Sequence, residues 1–115
     1  MTVERIDTAN IKEARAQVNN NGTVASIVTQ IDTQFDVNDA ISSVSRSSTG
    51  IVVVNFKSGF FTSTPVVLAS AYGSANNNWI VSVNSVTTSS ATIYTFNSGT
   101  TLTDFNFTIS AMGVK

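Results

Sequence analysis

The chain has 115 residues, a length that fits one domain and supports a hydrophobic core without covalent staples. It contains no cysteine and no histidine, which excludes disulfide frameworks, Cys/His zinc sites, Cys-His and Ser-His-Asp catalysis, and histidine pH switching. A net charge of −1 gives no electrostatic basis for binding nucleic acid or an anionic membrane.

Ser (16), Thr (16) and Asn (12) together make 44 of the 115 residues, while charged residues are only 11%. An average domain carries about 25% charge, so this surface is expected to be coated with hydroxyls and amides. With 42% hydrophobic residues the composition is not that of a disordered chain. No apolar run approaches the roughly 18 residues of a transmembrane helix. Residues 1–7 (Met-Thr-Val-Glu-Arg-Ile-Asp) hold no hydrophobic signal region, so synthesis in a cytoplasm without export is expected.

Charge divides the chain. Residues 1–39 carry 9 charges and residues 40–115 carry 4. The reading is an N-terminal arm over 1–38 and a body over 39–115. In the arm, Asp7 or Thr8 can cap a helix over 10–18, with Ile11, Ala14 and Val18 forming a narrow apolar stripe. Asn19-Asn20-Asn21-Gly22 is suited to stop it. A helix of about ten residues is marginal alone and needs a partner surface. Over 23–37, Val24, Ile27, Val28, Ile31 and Phe35 have helical spacing, but Thr, Val and Ile favour strands. Both a second short helix and an extended segment stay open.

The body reads as an all-β, antiparallel six-stranded sandwich, with β-branched segments broken by turn residues every ~8–12 positions. Strands are expected at Ala40–Arg46, Ile51–Phe56, Pro65–Tyr72, Trp79–Val86, Ala91–Phe96 and Phe105–Gly113. Turns fall at 47–50, 89–90 and 97–100. Pro65 opens a strand, where its missing donor does no harm. Phe105, Phe107, Ile109 and Ala111 alternate with Asn106, Thr108 and Ser110, giving one apolar and one hydroxylated face.

Catalytic chemistry finds little material. Residues 40–115 offer one carboxylate, Asp104, and no second for a glycosidase-type pair. No Gly-x-Ser-x-Gly elbow exists. No cofactor and no metal are expected. Asp32, Asp36 and Asp39 at i, i+4 and i+7 lack the grammar of a calcium loop and read as a solvated face. The better candidate surface is the 72–79 loop, where Tyr72 and Trp79 bracket Asn76, Asn77 and Asn78. Aromatic faces and amides suit a sugar, whose CH face stacks and whose hydroxyls need polar partners. The plainer reading puts Trp79 in the core and the asparagines in a turn. In Gly59-Phe60-Phe61, an extended backbone would send the two rings to opposite sides, one into the core and the other outward, against another subunit or into an edge-on core position.

Several runs carry a resemblance: Ser43 through Phe56, then Phe60 or Phe61, then Thr64-Pro65-Val66-Val67-Leu68-Ala69-Ser70, then Val81-Ser82-Val83-Asn84-Ser85-Val86-Thr87, and the ending from Phe105 to Gly113. Their order over 40–113 resembles the receptor-binding heads of bacteriophage fibres and the related H-type-lectin-like sandwiches. The resemblance implies a compact head that assembles as a parallel homotrimer, with the N-terminal segment leading to the virion or a stalk.

The expected function is a non-enzymatic phage virion protein, a short trimeric fibre or capsid-decoration knob. Ile11, Val18, Val24, Ile27, Val28, Ile31 and Phe35 would dock the arm on a capsid or baseplate protein or on sister chains. Tyr72, Asn76, Asn77, Asn78 and Trp79 would touch host glycans. A soluble carbohydrate-binding module and a ligand-free capsid cement are the alternatives. Location in a virion, no nucleic acid partner and no membrane insertion complete the expectation.

Overall fold

The computed structural model describes residues 11–33, 39–73, 79–97 and 100–114. Among the described residues there are eight strands and no helix: β1 (Ile11–Asn20), β2 (Ala25–Asp32), β3 (Ile41–Ser48), β4 (Ile51–Phe56), β5 (Val66–Ala71), β6 (Ile80–Val86), β7 (Ser90–Phe96) and β8 (Phe107–Val114). They form two antiparallel four-stranded sheets, ordered β2-β1-β8-β5 and β3-β4-β7-β6. The sheets approach each other along two edges, β2 beside β3 and β5 beside β6.

The helix expected over 10–18 is therefore corrected to a strand, and six strands become eight. Ala14, Ala16 and Val18 alternate inward and are buried, while Arg15 between them is exposed. Lys12, Glu13, Arg15 and Gln17 carry good intrinsic helix propensity, and the Ile11/Ala14/Val18 spacing matched a helix. Pairing with β8 along most of β1, from Ile11 opposite Val114 to Val18 opposite Phe107, overrides that local preference.

Residues 25–32 are extended too, with a bulge, and the helical spacing of Val24, Ile27, Val28 and Ile31 mixes residues of both faces, since only Ile27 packs on the core. Gln17 faces Thr29 while Val18 faces Ile27, so Val28 is an extra residue. Ala25 and Ile27 point to the core before the bulge, and Gln30 and Asp32 after it. The bulge shifts the inward phase by one residue.

The core lies between the sheets. Val18, Ile41, Val52, Val54, Ile93 and Phe107 are at most 1% exposed. In β8, Phe107, Ile109 and Ala111 face inward, as the alternation implied. Phe60 and Phe61 are both buried, so of the open alternatives the second ring takes the core position. They do not lie on an extended segment. The Phe60 amide donates to the Lys57 carbonyl at 3.0 Å, and Gly59 takes φ 77, so the chain turns there. Phe61 then meets Phe60 and Phe56 edge-on, with centroids 4.8 and 5.0 Å away.

Candidate functional site, an amide-rimmed depression at the loop end

The chain end of β1, the end of β5, the start of β6 and the approach to β8 meet at one end of the sandwich. They enclose a depression of about 340 Å3 lined by Asn19–Asn21, Tyr72, Gly73, Trp79, Phe105 and Asn106. Antiparallel pairing of β1 and β5 with β8 brings these distant segments together. The Tyr72 amide continues that pairing by donating to the Asn106 carbonyl at 3.2 Å.

Tyr72 and Trp79 both line this depression. Asn76, Asn77 and Asn78 lie outside the described residues. Asn19, Asn20, Asn21 and Asn106 were not anticipated as lining residues, because nothing local in the sequence places 19–21 beside 72 and 106. The one signal is the Asn19-Asn20-Asn21 run itself, whose composition equally suits a helix stop.

Internal hydrogen bonds hold the amides. The Asn20 backbone N–H donates to Asn106 Oδ1 at 3.0 Å. Thr23 and Val24 N–H donate to Asn21 Oδ1 at 2.9 and 2.8 Å. The Tyr72 hydroxyl donates to Asn19 Oδ1 at 2.7 Å. Gly22 N–H donates to Asn20 Oδ1 at 3.2 Å, and Asn20 Nδ2 donates to Asp104 Oδ1 at 2.9 Å. A backbone N–H can donate only to oxygen, so the orientations of Asn21 and Asn106 follow from their partners.

Beneath the rim, Trp79 stands edge-on to buried Phe105 with centroids 3.9 Å apart. Trp79 is half-buried, and its Nε1–H is covered and finds no acceptor among the described residues. The ring surface, not the N–H, is what Trp79 can offer. Asp104 holds the lining residue Asn20 from behind by accepting its Nδ2–H. Hydrogen bonds from Arg46 above all, then from Gly50 and Asn20, hold its carboxyl below the usual carboxylate range, against the opposing pull of partial burial.

The residues expected to dock the arm are distributed over both faces of the sheet. Val18 is buried in the core, and its register partner Ile27 packs against it. Val24, Val28 and Ile31 are exposed, Ile11 is half-buried opposite Val114, and Phe35 lies outside the described residues. Of the carboxylates read as a solvated face, Asp32 is buried instead. Asp32 accepts the Ala40 N–H at 2.9 Å, Asp39 pairs with Lys57 at 3.0 Å, and Asp36 is outside the described residues. Among the described residues no three carboxylates gather as a metal site would require.

A second depression, of about 450 Å3, lies on the outer face of the β2-β1-β8-β5 sheet, lined by Arg15, Gln17, Thr29, Ile31, Thr108 and Ser110 among others. No aromatic ring lines it. The chain matches no known family, no curated protein and no solved structure in the three comparisons made.

Proposed function

We propose that the chain is a non-enzymatic virion knob, a short fibre or capsid-decoration protein that binds host glycans at the loop end. The observation that carries the binding part is the depression itself, where Tyr72 and Trp79 stand beside the amides of Asn19, Asn21 and Asn106. Rings supply a surface for a sugar's CH face, and amides fixed by their own hydrogen bonds supply polar partners at little entropic cost. The virion part rests on the resemblance of residues 40–113 to fibre heads.

Self-association as a trimer fits the distribution of apolar surface. Among the described residues, the exposed large apolar side chains are Val24, Val28, Ile31, Val66, Leu68, Met112 and Val114, all in or beside the β2-β1-β8-β5 sheet, with Ile80 in the other. Those of the β2-β1-β8-β5 sheet form two groups towards its opposite sides, one at β2 and one on β5 and β8, and exposed apolar patches mark contact sites. Avidity then turns a weak single site into useful attachment.

Trp79 is the sole tryptophan, so its emission reports on the depression. Titrating the full chain with a panel of oligosaccharides should give a saturable change in that emission. The absence of any change, with no heat in calorimetry, overturns the glycan reading. Light scattering after size exclusion should give three times the 12.2 kDa chain mass, and a monomer overturns the trimer.

A further inference from the structure

We infer that Asn21-Gly22 is a deamidation site that the fold protects, and that Asn20 is the positioning residue that protects it. The inference is independent of any ligand at the depression.

Asn21-Gly22 is the one Asn-Gly step in the chain, and Asn21 is exposed to water. Such a step is prone to cyclise, because glycine has no Cβ to hinder the approach of its nitrogen to the asparagine side chain. In that reaction the Gly22 nitrogen gives its proton to hydroxide and attacks Asn21 Cγ. A new C–N bond forms, the Cγ–Nδ2 bond breaks, and Nδ2 takes a proton from water and leaves as ammonia. Water then opens the five-membered imide at either of its two C–N bonds, giving aspartate or isoaspartate. Isoaspartate adds a methylene to the backbone at the end of β1, so the Asn21 contacts with Thr23 and Val24 would be lost and the rim of the depression would be rebuilt.

Both reacting groups are engaged in the fold. The attacking nitrogen donates its hydrogen to Asn20 Oδ1 at 3.2 Å. The amide under attack is held at its oxygen by Thr23 and Val24 N–H, at 2.9 and 2.8 Å. The acceptor for Gly22 is itself fixed. Asn20 is 4% exposed, its Nδ2 donates to Asp104 Oδ1 at 2.9 Å, and its backbone N–H donates to Asn106 Oδ1 at 3.0 Å. Asp104 is gripped in turn by Arg46 and Gly50. Gly22 rests against the same carboxylate, since a Cβ there would stand 3.6 Å from Asp104 Oδ2. Cyclisation must therefore free the Gly22 nitrogen from a buried partner and displace an anchored amide. It proceeds through the small fraction of molecules in which the hairpin has opened.

The test incubates the full chain at mildly alkaline pH, folded and in denaturing urea. Aspartate and isoaspartate at position 21 are followed by mass spectrometry of the tryptic peptide 16–46. The folded chain should convert at least tenfold more slowly than the unfolded one. Asn20→Ala removes the acceptor of the Gly22 N–H, and should speed conversion of the folded chain at least fivefold with little change in urea. Gly113→Ala is the control for global loosening, because Gly113 pairs with Lys12 at the far end of β1. It should leave the folded rate within twofold of the parent. Equal rates for the folded and unfolded parent overturn the protection. An Asn20→Ala rate equal to that of the parent, or matched by Gly113→Ala, overturns the role of Asn20.

Discussion

Arg46 and Asp104, 58 residues apart, form a two-pronged ion pair, with Nε 3.1 Å from Oδ1 and Nη2 3.0 Å from Oδ2. Asp104 also accepts the Gly50 N–H at 2.7 Å and Asn20 Nδ2 at 2.9 Å. One carboxylate thereby ties the end of β1, the β3–β4 hairpin and the approach to β8. Asp104→Asn should destabilise the fold by about 1–2 kcal/mol, at the lower end because the pair is partly solvated. The Asp104 carboxyl is held below its ordinary range. Its contribution is therefore fully present above about pH 4 and lost as pH falls through the lowered folded value. Urea midpoints measured from pH 2 to 7 should fall on the acid side, and Asp104→Asn should flatten that limb.

Gly50 takes φ +70 in the β3–β4 turn, and an added Cβ would stand 2.7 Å from the Thr95 carbonyl oxygen and 2.8 Å from the Thr103 nitrogen. Both neighbours are backbone and cannot rotate aside. Gly50→Ala should cost more than about 2 kcal/mol, read as a lowered midpoint of chemical unfolding.

Gly113 poses a different packing problem. Its φ is ordinary, but a Cβ would lie 2.8 Å from Phe61 Cδ1. Gly113→Ala should cost about 1–3 kcal/mol by overpacking. Phe61→Leu in the same chain should recover part of that loss, and a double-mutant cycle measures the coupling.

Gln30 bridges the two sheets where β2 meets β3. Its Nε2 donates to the Ile41 carbonyl at 3.1 Å, and Ile41 N–H donates to its Oε1 at 3.2 Å. Gln30→Ala should cost about 1–2 kcal/mol by orphaning two backbone groups. Hydrogen exchange at the Ile41 amide should accelerate, while exchange within β7 stays unchanged relative to global stability.

Leu68 and Val66 are 69% and 68% exposed on edge strand β5, with Met112 opposite Val66 in β8. Leu68→Lys should leave the fold within about 0.5 kcal/mol of the parent. It should lower the mass seen by light scattering, because a charge on an apolar edge opposes association. An unchanged oligomer with Leu68→Lys and Met112→Lys together would move the interface elsewhere.

The sequence by itself determined the all-β character of residues 40–114, the strand positions from β3 to β8 to within a few residues, and the inward set of β8. Those features are local: β-branched runs, alternation and turn residues bias the backbone wherever the strand ends up. The same local physics misled at β1, where Lys12, Glu13, Ala14 and Arg15 favour a helix in isolation and β8 supplies the partner that makes a strand. In β2 the exposed face carries Val28 and Ile31 while Gln30 and Asp32 point inward, so hydropathy does not mark the strand's faces. Tyr72 and Trp79 were legible as a candidate surface because they flank one loop. Only the tertiary structure decided that Asn19, Asn21 and Asn106 join them, because register between strands far apart in sequence is set by the burial of Val18, Phe107 and Ile109 in one core. The amide rim is a consequence of that burial, and no local pattern encodes it.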